Sequence, residues 1–88
     1  MIVGSTHDFD KKFKKRISFN SKLVGQLKER INLFIEQPNH ELLRVHSLAG
    51  SRKGYCAFSI TGDIRIVFKK ISDDEIILVD IGSHNQVY

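Results

Sequence analysis

The sequence predicts an α+β fold, an N-terminal helical hairpin packed on one face of a small antiparallel β-sheet, in the order β-α-α-β-β-β. Three observations lead there. Apolar residues recur at helical spacing up to Pro38 and at alternate positions from about Tyr55 onward. Two turn-forming clusters, Thr61-Gly62-Asp63 and Ser72-Asp73-Asp74, cut the second half into strand-length pieces. A length of 88 residues matches one small domain, so residues 1–88 are read as a single unit.

Residues 2–6 make a short β-prone opening. From about Asp8, Phe9, Phe13 and Ile17 fall on one helical stripe. Asp8 and Asp10 lie in the first turn and the lysines toward the end, matching the helix macrodipole. Asn20 or Ser21 can cap a second helix, whose stripe is Leu23, Leu27, Ile31, Phe34 and Ile35 and which Pro38 stops. Leu42 to Leu48 reads as a further strand or as an extended approach to the sheet. Tyr55–Ile60 and Ile64–Lys70 are the next strands. Along the second of them Ile64, Ile66 and Phe68 share one face, and Arg65, Val67 and Lys69 share the other. Glu75–Ile81 is the most apolar strand and is expected at the centre of the sheet.

With 41% hydrophobic and 27% charged residues, the composition is globular rather than disordered or fibrous. A single cysteine, Cys56, excludes an internal disulfide and a cysteine-rich zinc module, and fits a reducing compartment. The first residues lack the basic and apolar segments of a secretory signal. No apolar run nears the roughly 20 residues needed to span a bilayer. A cytoplasmic protein with no membrane partner is expected.

The net charge of +4 is uneven: residues 1–53 hold eleven basic and five acidic side chains, residues 54–88 three and five. The densest stretch is Lys11-Lys12-Phe13-Lys14-Lys15-Arg16. Such a surface attracts a polyanion, usually nucleic acid, or an acidic protein, although a solvated helix face has the same composition.

Four histidines are present, at positions 7, 40, 46 and 84, without the spacing of a metal site. No metal and no cofactor is therefore expected. His7 and His40 read as plain surface residues. His84 follows Gly82-Ser83 directly after the strongest strand, where a turn can present its ring over the sheet, with Tyr88 four positions on. His46 precedes the Gly50 loop and can reach the same face. Imidazoles titrate near neutrality and serve as general acid and base. Arg65, on a rigid strand beside Val67, is suited to gripping a phosphate. Asp63 reads as a turn former, and Cys56 as a buried, unreactive thiol.

Four segments together resemble the RelE/YafQ superfamily of bacterial type II toxins, nearer its YafQ side. They are His46-Ser47-Leu48-Ala49-Gly50, Gly54-Tyr55, Gly62-Asp63-Ile64-Arg65-Ile66-Val67-Phe68, and Ile81-Gly82-Ser83-His84-Asn85-Gln86-Val87-Tyr88. The resemblance covers nearly the whole chain. It implies an mRNA endonuclease that enters the ribosomal A site and is neutralised by a cognate acidic antitoxin. His84 would be the principal acid/base residue and His46 a second. Arg65 would stabilise the phosphorane-like transition state, and Tyr88 would stack on or orient a base. Lys11, Lys12, Lys14, Lys15, Arg16, Arg52 and Lys53 would hold RNA through its phosphates. The strand at Cys56-Ala57-Phe58 lacks the basic residues that RelE proper carries there, and YafQ-like relatives often place an arginine near Cys56 and a histidine near Ser59. The resemblance leaves two alternatives open: a gyrase-inhibiting toxin of the ParE type, which shares the fold, and a catalytically inactive RNA-binding relative.

Overall fold

The computed structural model describes residues 1–88. Strand β1 (Ile2–Ser5) leads into helix α1 (His7–Arg16), followed by helix α2 (Ser21–Glu36). Thr6 caps α1, its Oγ1 accepting from the Phe9 N–H at 3.1 Å. Of the two residues able to cap α2, Asn20 does so, its Oδ1 accepting from the Leu23 N–H at 3.1 Å. The helix ends at Glu36, two residues before Pro38.

The second half contains β2 (His46–Ser47), β3 (Cys56–Ser59), β4 (Ile64–Ser72), β5 (Glu75–Ser83) and a short helix α3 (His84–Val87). The stretch Leu42–Leu48, expected as a strand or an extended approach, divides into a 3-10 turn over Glu41–Leu43 and the two-residue β2. The order is thus longer than β-α-α-β-β-β, by β2 and by α3.

The sheet runs β1-β5-β4-β3-β2. It is mixed rather than wholly antiparallel, because β1 pairs parallel to β5, Ile2 opposite Glu75 through Ser5 opposite Leu78. The chain leaves β1 over α1 and returns only through β5, so this pairing is non-local and leaves no turn signature in the sequence. β4 takes the central position. The apolar β5 lies beside it, paired on both sides.

The two sheet faces are unequal. On one, Phe9 of α1, Ile17 just after that helix, and Leu27 and Phe34 of α2 pack against Phe58, Ile66, Phe68, Ile76, Leu78 and Ile81. Phe34 stacks on Phe58 with ring centroids 5.0 Å apart. Fully burying one such side chain contributes about 1.5–3 kcal/mol, so this face supplies most of the apolar stabilisation. The other face carries a small cluster of Ala57, Val67 and Val87, flanked by Leu48, Tyr55 and Val79. Val87 is nearly fully buried there and fixes α3 to the sheet. Cys56 is half-buried rather than buried, where β3 meets the edge strand β2 opposite Ser47.

A bulge in β5 changes its alternation. Val67 pairs with Asp80, but the next residue, Phe68, pairs with Leu78, so Val79 is the extra residue. At strict period two Asp80 would enter the core beside Ile76 and Leu78. With the bulge Ile81 takes that face, and Asp80 comes opposite Val67 on the other.

Candidate active site

The site lies on the face opposite the helical hairpin, where α3 leaves β5. Ile64 pairs with Ser83 and Arg65 with Gly82, so the start of β4 and the start of α3 are neighbours. A capping box closes α3. The Ser83 N–H donates to Gln86 Oε1 at 2.7 Å, and Ser83 Oγ accepts from the Gln86 N–H at 3.3 Å. The His84 N–H also donates to the Asp63 carbonyl at 3.0 Å, so the expected turn former at Asp63 anchors the helix as well.

Gly82 permits this corner by having no side chain. A Cβ there would lie 2.5 Å from Gln86 Oε1 and 2.8 Å from Arg16 Nη1. Both atoms are committed, the first to the capping box and the second to the Ile81 carbonyl at 2.9 Å. β1 ends at Ser5, so the edge of β5 beyond Leu78 has no strand beside it, and Arg16 donates to the Ile81 carbonyl there instead.

Three of the sequence-selected residues meet at this corner. His84 sits at the first position of α3, solvent-exposed, with its ring edge-on to Tyr88 at 85° and 4.6 Å between centroids. His46 also packs edge-on to Tyr88, 5.9 Å away ring to ring, its Nε2 3.1 Å from the Tyr88 hydroxyl. His46 Nδ1 lies 2.9 Å from the Arg44 carbonyl. A carbonyl can only accept, so in the neutral imidazole Nδ1 carries the proton and Nε2 accepts from the tyrosine. No side-chain bond within the protein engages the His84 ring nitrogens, which leaves them open to a ligand. His46, His84 and Tyr88 line an open cleft of about 390 Å³ together with Ser51 and Arg52.

Arg65 stands close to the Tyr88 phenol. Its Nη1 donates to the Thr61 carbonyl at 2.8 Å and the Ile64 carbonyl at 3.3 Å, which fixes the guanidinium on the strand. Burial pushes the Tyr88 phenol above its ordinary value, and the positive charge of Arg65 offsets part of that rise. Tyr88 is therefore a neutral hydrogen-bond donor at physiological pH.

The basic residues fall into two groups. Lys11, Lys14, Lys15 and Lys53 are exposed. Lys12, Arg16 and Arg52 instead converge on Asp80, which is only 1% exposed. Arg52 donates to Asp80 Oδ2, while Lys12 and Arg16 approach Oδ1 at 3.2 and 3.6 Å. Sequence reasoning misses Asp80 as a site-building residue. The signal for it is a lone acid inside the most apolar strand. No group of three or more His, Cys, Asp or Glu side chains gathers in a metal-holding arrangement. No helix is long and apolar enough to cross a membrane.

Known proteins share this architecture. Crystallised YafQ from E. coli is similar at a TM-score of 0.81 and 22% identity, with 98% of this chain and 96% of that one covered. YafQ in the E. coli DinJ–YafQ complex is similar at 0.78 and 22%, over 98% and 96% of the two chains. A metal-bound toxin from Helicobacter pylori is similar at 0.75 and 25%, over 100% and 99%. No curated protein matches the sequence. The family model for the bacterial toxin of type II toxin–antitoxin systems, YafQ, matches residues 2–88, and the chain belongs to that family.

Proposed function

We propose that this toxin is a metal-independent endoribonuclease that cleaves mRNA, in the ribosomal A site, by attack of a ribose 2′-OH on the adjacent phosphate. The observation that carries the reading is the packing of two imidazoles around one tyrosine, 5.9 and 4.6 Å from its ring, with a strand-borne arginine beside it. The reaction needs a base, an acid and a cation, and RNA supplies the nucleophile.

His46 suits the base. Its Nδ1 proton is held by the Arg44 carbonyl, so Nε2 is an acceptor directed into the cleft. The 2′-OH takes the place of the Tyr88 hydroxyl at that nitrogen and loses its proton as its oxygen bonds to phosphorus. His84 suits the acid, protonating the departing 5′ oxygen. The products are a 2′,3′-cyclic phosphate and a 5′-OH. Each proton transfer contributes about 10²–10⁴-fold. Arg65 neutralises charge on the phosphorane oxygens as it develops, a contribution of similar size. Tyr88, half-exposed, offers its ring for a base to stack on.

The exposed Lys11, Lys14, Lys15 and Lys53 supply phosphate contacts in this reading. Lys12, Arg16 and Arg52 add positive charge around Asp80. The E. coli relative is found in a complex with DinJ, which supports a cognate antitoxin as protein partner here.

The test is cleavage of a translated mRNA in a purified translation system containing EDTA-treated toxin. Cuts bearing 5′-OH ends are expected from the wild type. His84→Ala is expected to be slower by about 10²–10⁴-fold while retaining its fold. Intact mRNA with arrested DNA replication would favour gyrase as the target.

A further inference from the structure

Beside the histidine cleft lies a second one, of about 350 Å³, into which three arginines project from three different elements. Arg30 comes from α2, Arg44 from the link between the Glu41–Leu43 turn and β2, and Arg65 from β4. From these residues we infer that the cleft is a phosphate subsite for single-stranded RNA, holding the strand next to the bond that is cut. The inference rests on the nuclease reading for the direction of the strand, and on the arginines themselves for its chemistry.

The three guanidiniums are free of carboxylate partners, whereas Arg16 and Arg52 are both paired to Asp80. Two are rigidly placed by backbone carbonyls. Arg30 Nη1 donates to Leu42 O at 2.8 Å, and Arg65 Nη1 donates to Thr61 O at 2.8 Å. Each guanidinium carries five N–H groups, so most donors remain unspent. Arg44 makes no side-chain bond and has its backbone in the left-handed region, with φ of 49°. That conformation caps the Glu41–Leu43 turn, where the Arg44 N–H donates to the Glu41 carbonyl at 3.2 Å, and it leaves the side chain free to face the cleft. Glu41 borders the cleft and Leu42 is its sole apolar lining, leaving a net excess of positive charge. The matching ligand is a polyanion with several acceptor oxygens at each charge, which describes a phosphodiester.

Continuity with the histidine site selects RNA over an acidic protein segment. Arg65 lines this cleft and also acts on the Tyr88 phenol. The Arg44 carbonyl accepts from His46 Nδ1, so one residue faces the cleft with its side chain and holds the proposed base with its backbone. A strand seated across His46 and His84 would leave along these arginines.

The test uses a single-stranded all-2′-O-methyl RNA, which binds without being cut, and measures affinity by fluorescence anisotropy across a salt series. Arg44→Gln and Arg30→Gln are each expected to reduce the slope of log affinity against log salt by about 0.7, the value for one phosphate of a single strand no longer neutralised. Arg44→Lys should retain the slope, because a point charge still releases a counterion. Lys70→Gln, at the far end of β4 and paired to Asp73, should leave it unchanged. Wild-type slopes in both arginine variants would overturn the subsite. So would unchanged RNA binding with weakened antitoxin binding, which would assign the cleft to protein. A reduced slope in Arg44→Gln, with His84→Ala still cutting mRNA at the wild-type rate, would retain the subsite and reject the catalytic reading.

Discussion

The Tyr88 hydroxyl lies 3.1 Å from His46 Nε2, although 42 residues separate the two along the chain. The bond joins the edge strand β2 to the end of α3, and it brings the tyrosine into contact with both histidines. Tyr88→Phe keeps the ring and removes the hydroxyl. The substrate 2′-OH must displace that hydroxyl from His46 Nε2, so losing its bond of about 1 kcal/mol is expected to leave RNA cleavage at the wild-type rate or up to about fivefold faster. Tyr88→Ala also removes the stacking surface, worth about 1–3 kcal/mol per base, and should cut more slowly than Tyr88→Phe. Comparing single-turnover rates of the two variants checks this; equal rates would mean that the ring takes no part.

The Tyr88 phenol titrates above its ordinary value of 10.0, because burial disfavours the phenolate more than Arg65 favours it. A group with a raised folded pKa stabilises the fold below the unfolded pKa, and that contribution is lost as pH rises through the folded value. Alkaline absorbance titration should show one of the two tyrosines ionising late, and Tyr88→Phe should remove that phase. Urea unfolding should weaken less between neutral and strongly alkaline pH in the variant. An ordinary or early phenol would contradict the packing at this corner.

Asp80 ties α1 to the loop that carries Arg52, which itself lines the histidine cleft. Asp80→Asn keeps the shape and deletes the charge, leaving three cations facing one another. A loss of roughly 2–3 kcal/mol is expected, below the full penalty for breaking a buried pair because the cations remain partly in water. Chemical denaturation measures it, and a change under about 0.5 kcal/mol would reduce the cluster to surface pairs.

Gly82→Ala introduces a Cβ 2.5 Å from Gln86 Oε1 and 2.8 Å from Arg16 Nη1. One or both bonds must open. The expected cost is about 1–2 kcal/mol, in the range of a lost helix cap, together with displacement of His84. A thermal melt gives the first effect and the His84 imidazole NMR signals the second. An unchanged variant would show that the corner has room.

Much of this arrangement is readable in local pattern. Phe9, Phe13 and Ile17 mark α1, the change of period after Pro38 marks the sheet, and Gly82-Ser83-His84 marks the turn that exposes a ring. The alternation of Ile64, Ile66 and Phe68 against Val67 gives the two faces of β4 correctly. What is not readable depends on non-local pairing. The parallel pairing of β1 with β5 has no local signal, and the bulge at Val79 is visible only once Phe68 is opposite Leu78. The bulge in turn decides where Asp80 points, so neither the carboxylate nor its hold on Lys12, Arg16 and Arg52 follows from spacing. Arg30 and Arg44 escape sequence reasoning for the same cause: 14 positions apart in sequence, they meet Arg65 only across the end of the sheet.

The most direct measurement is induced expression of wild type and His84→Ala with mapping of mRNA 5′ ends and growth followed in parallel. The wild type is expected to produce 5′-OH ends within translated codons and to arrest growth, and the variant to do neither while still folding and binding its antitoxin. Full growth arrest by His84→Ala, or arrest by the wild type with every transcript intact, would contradict catalysis at this corner.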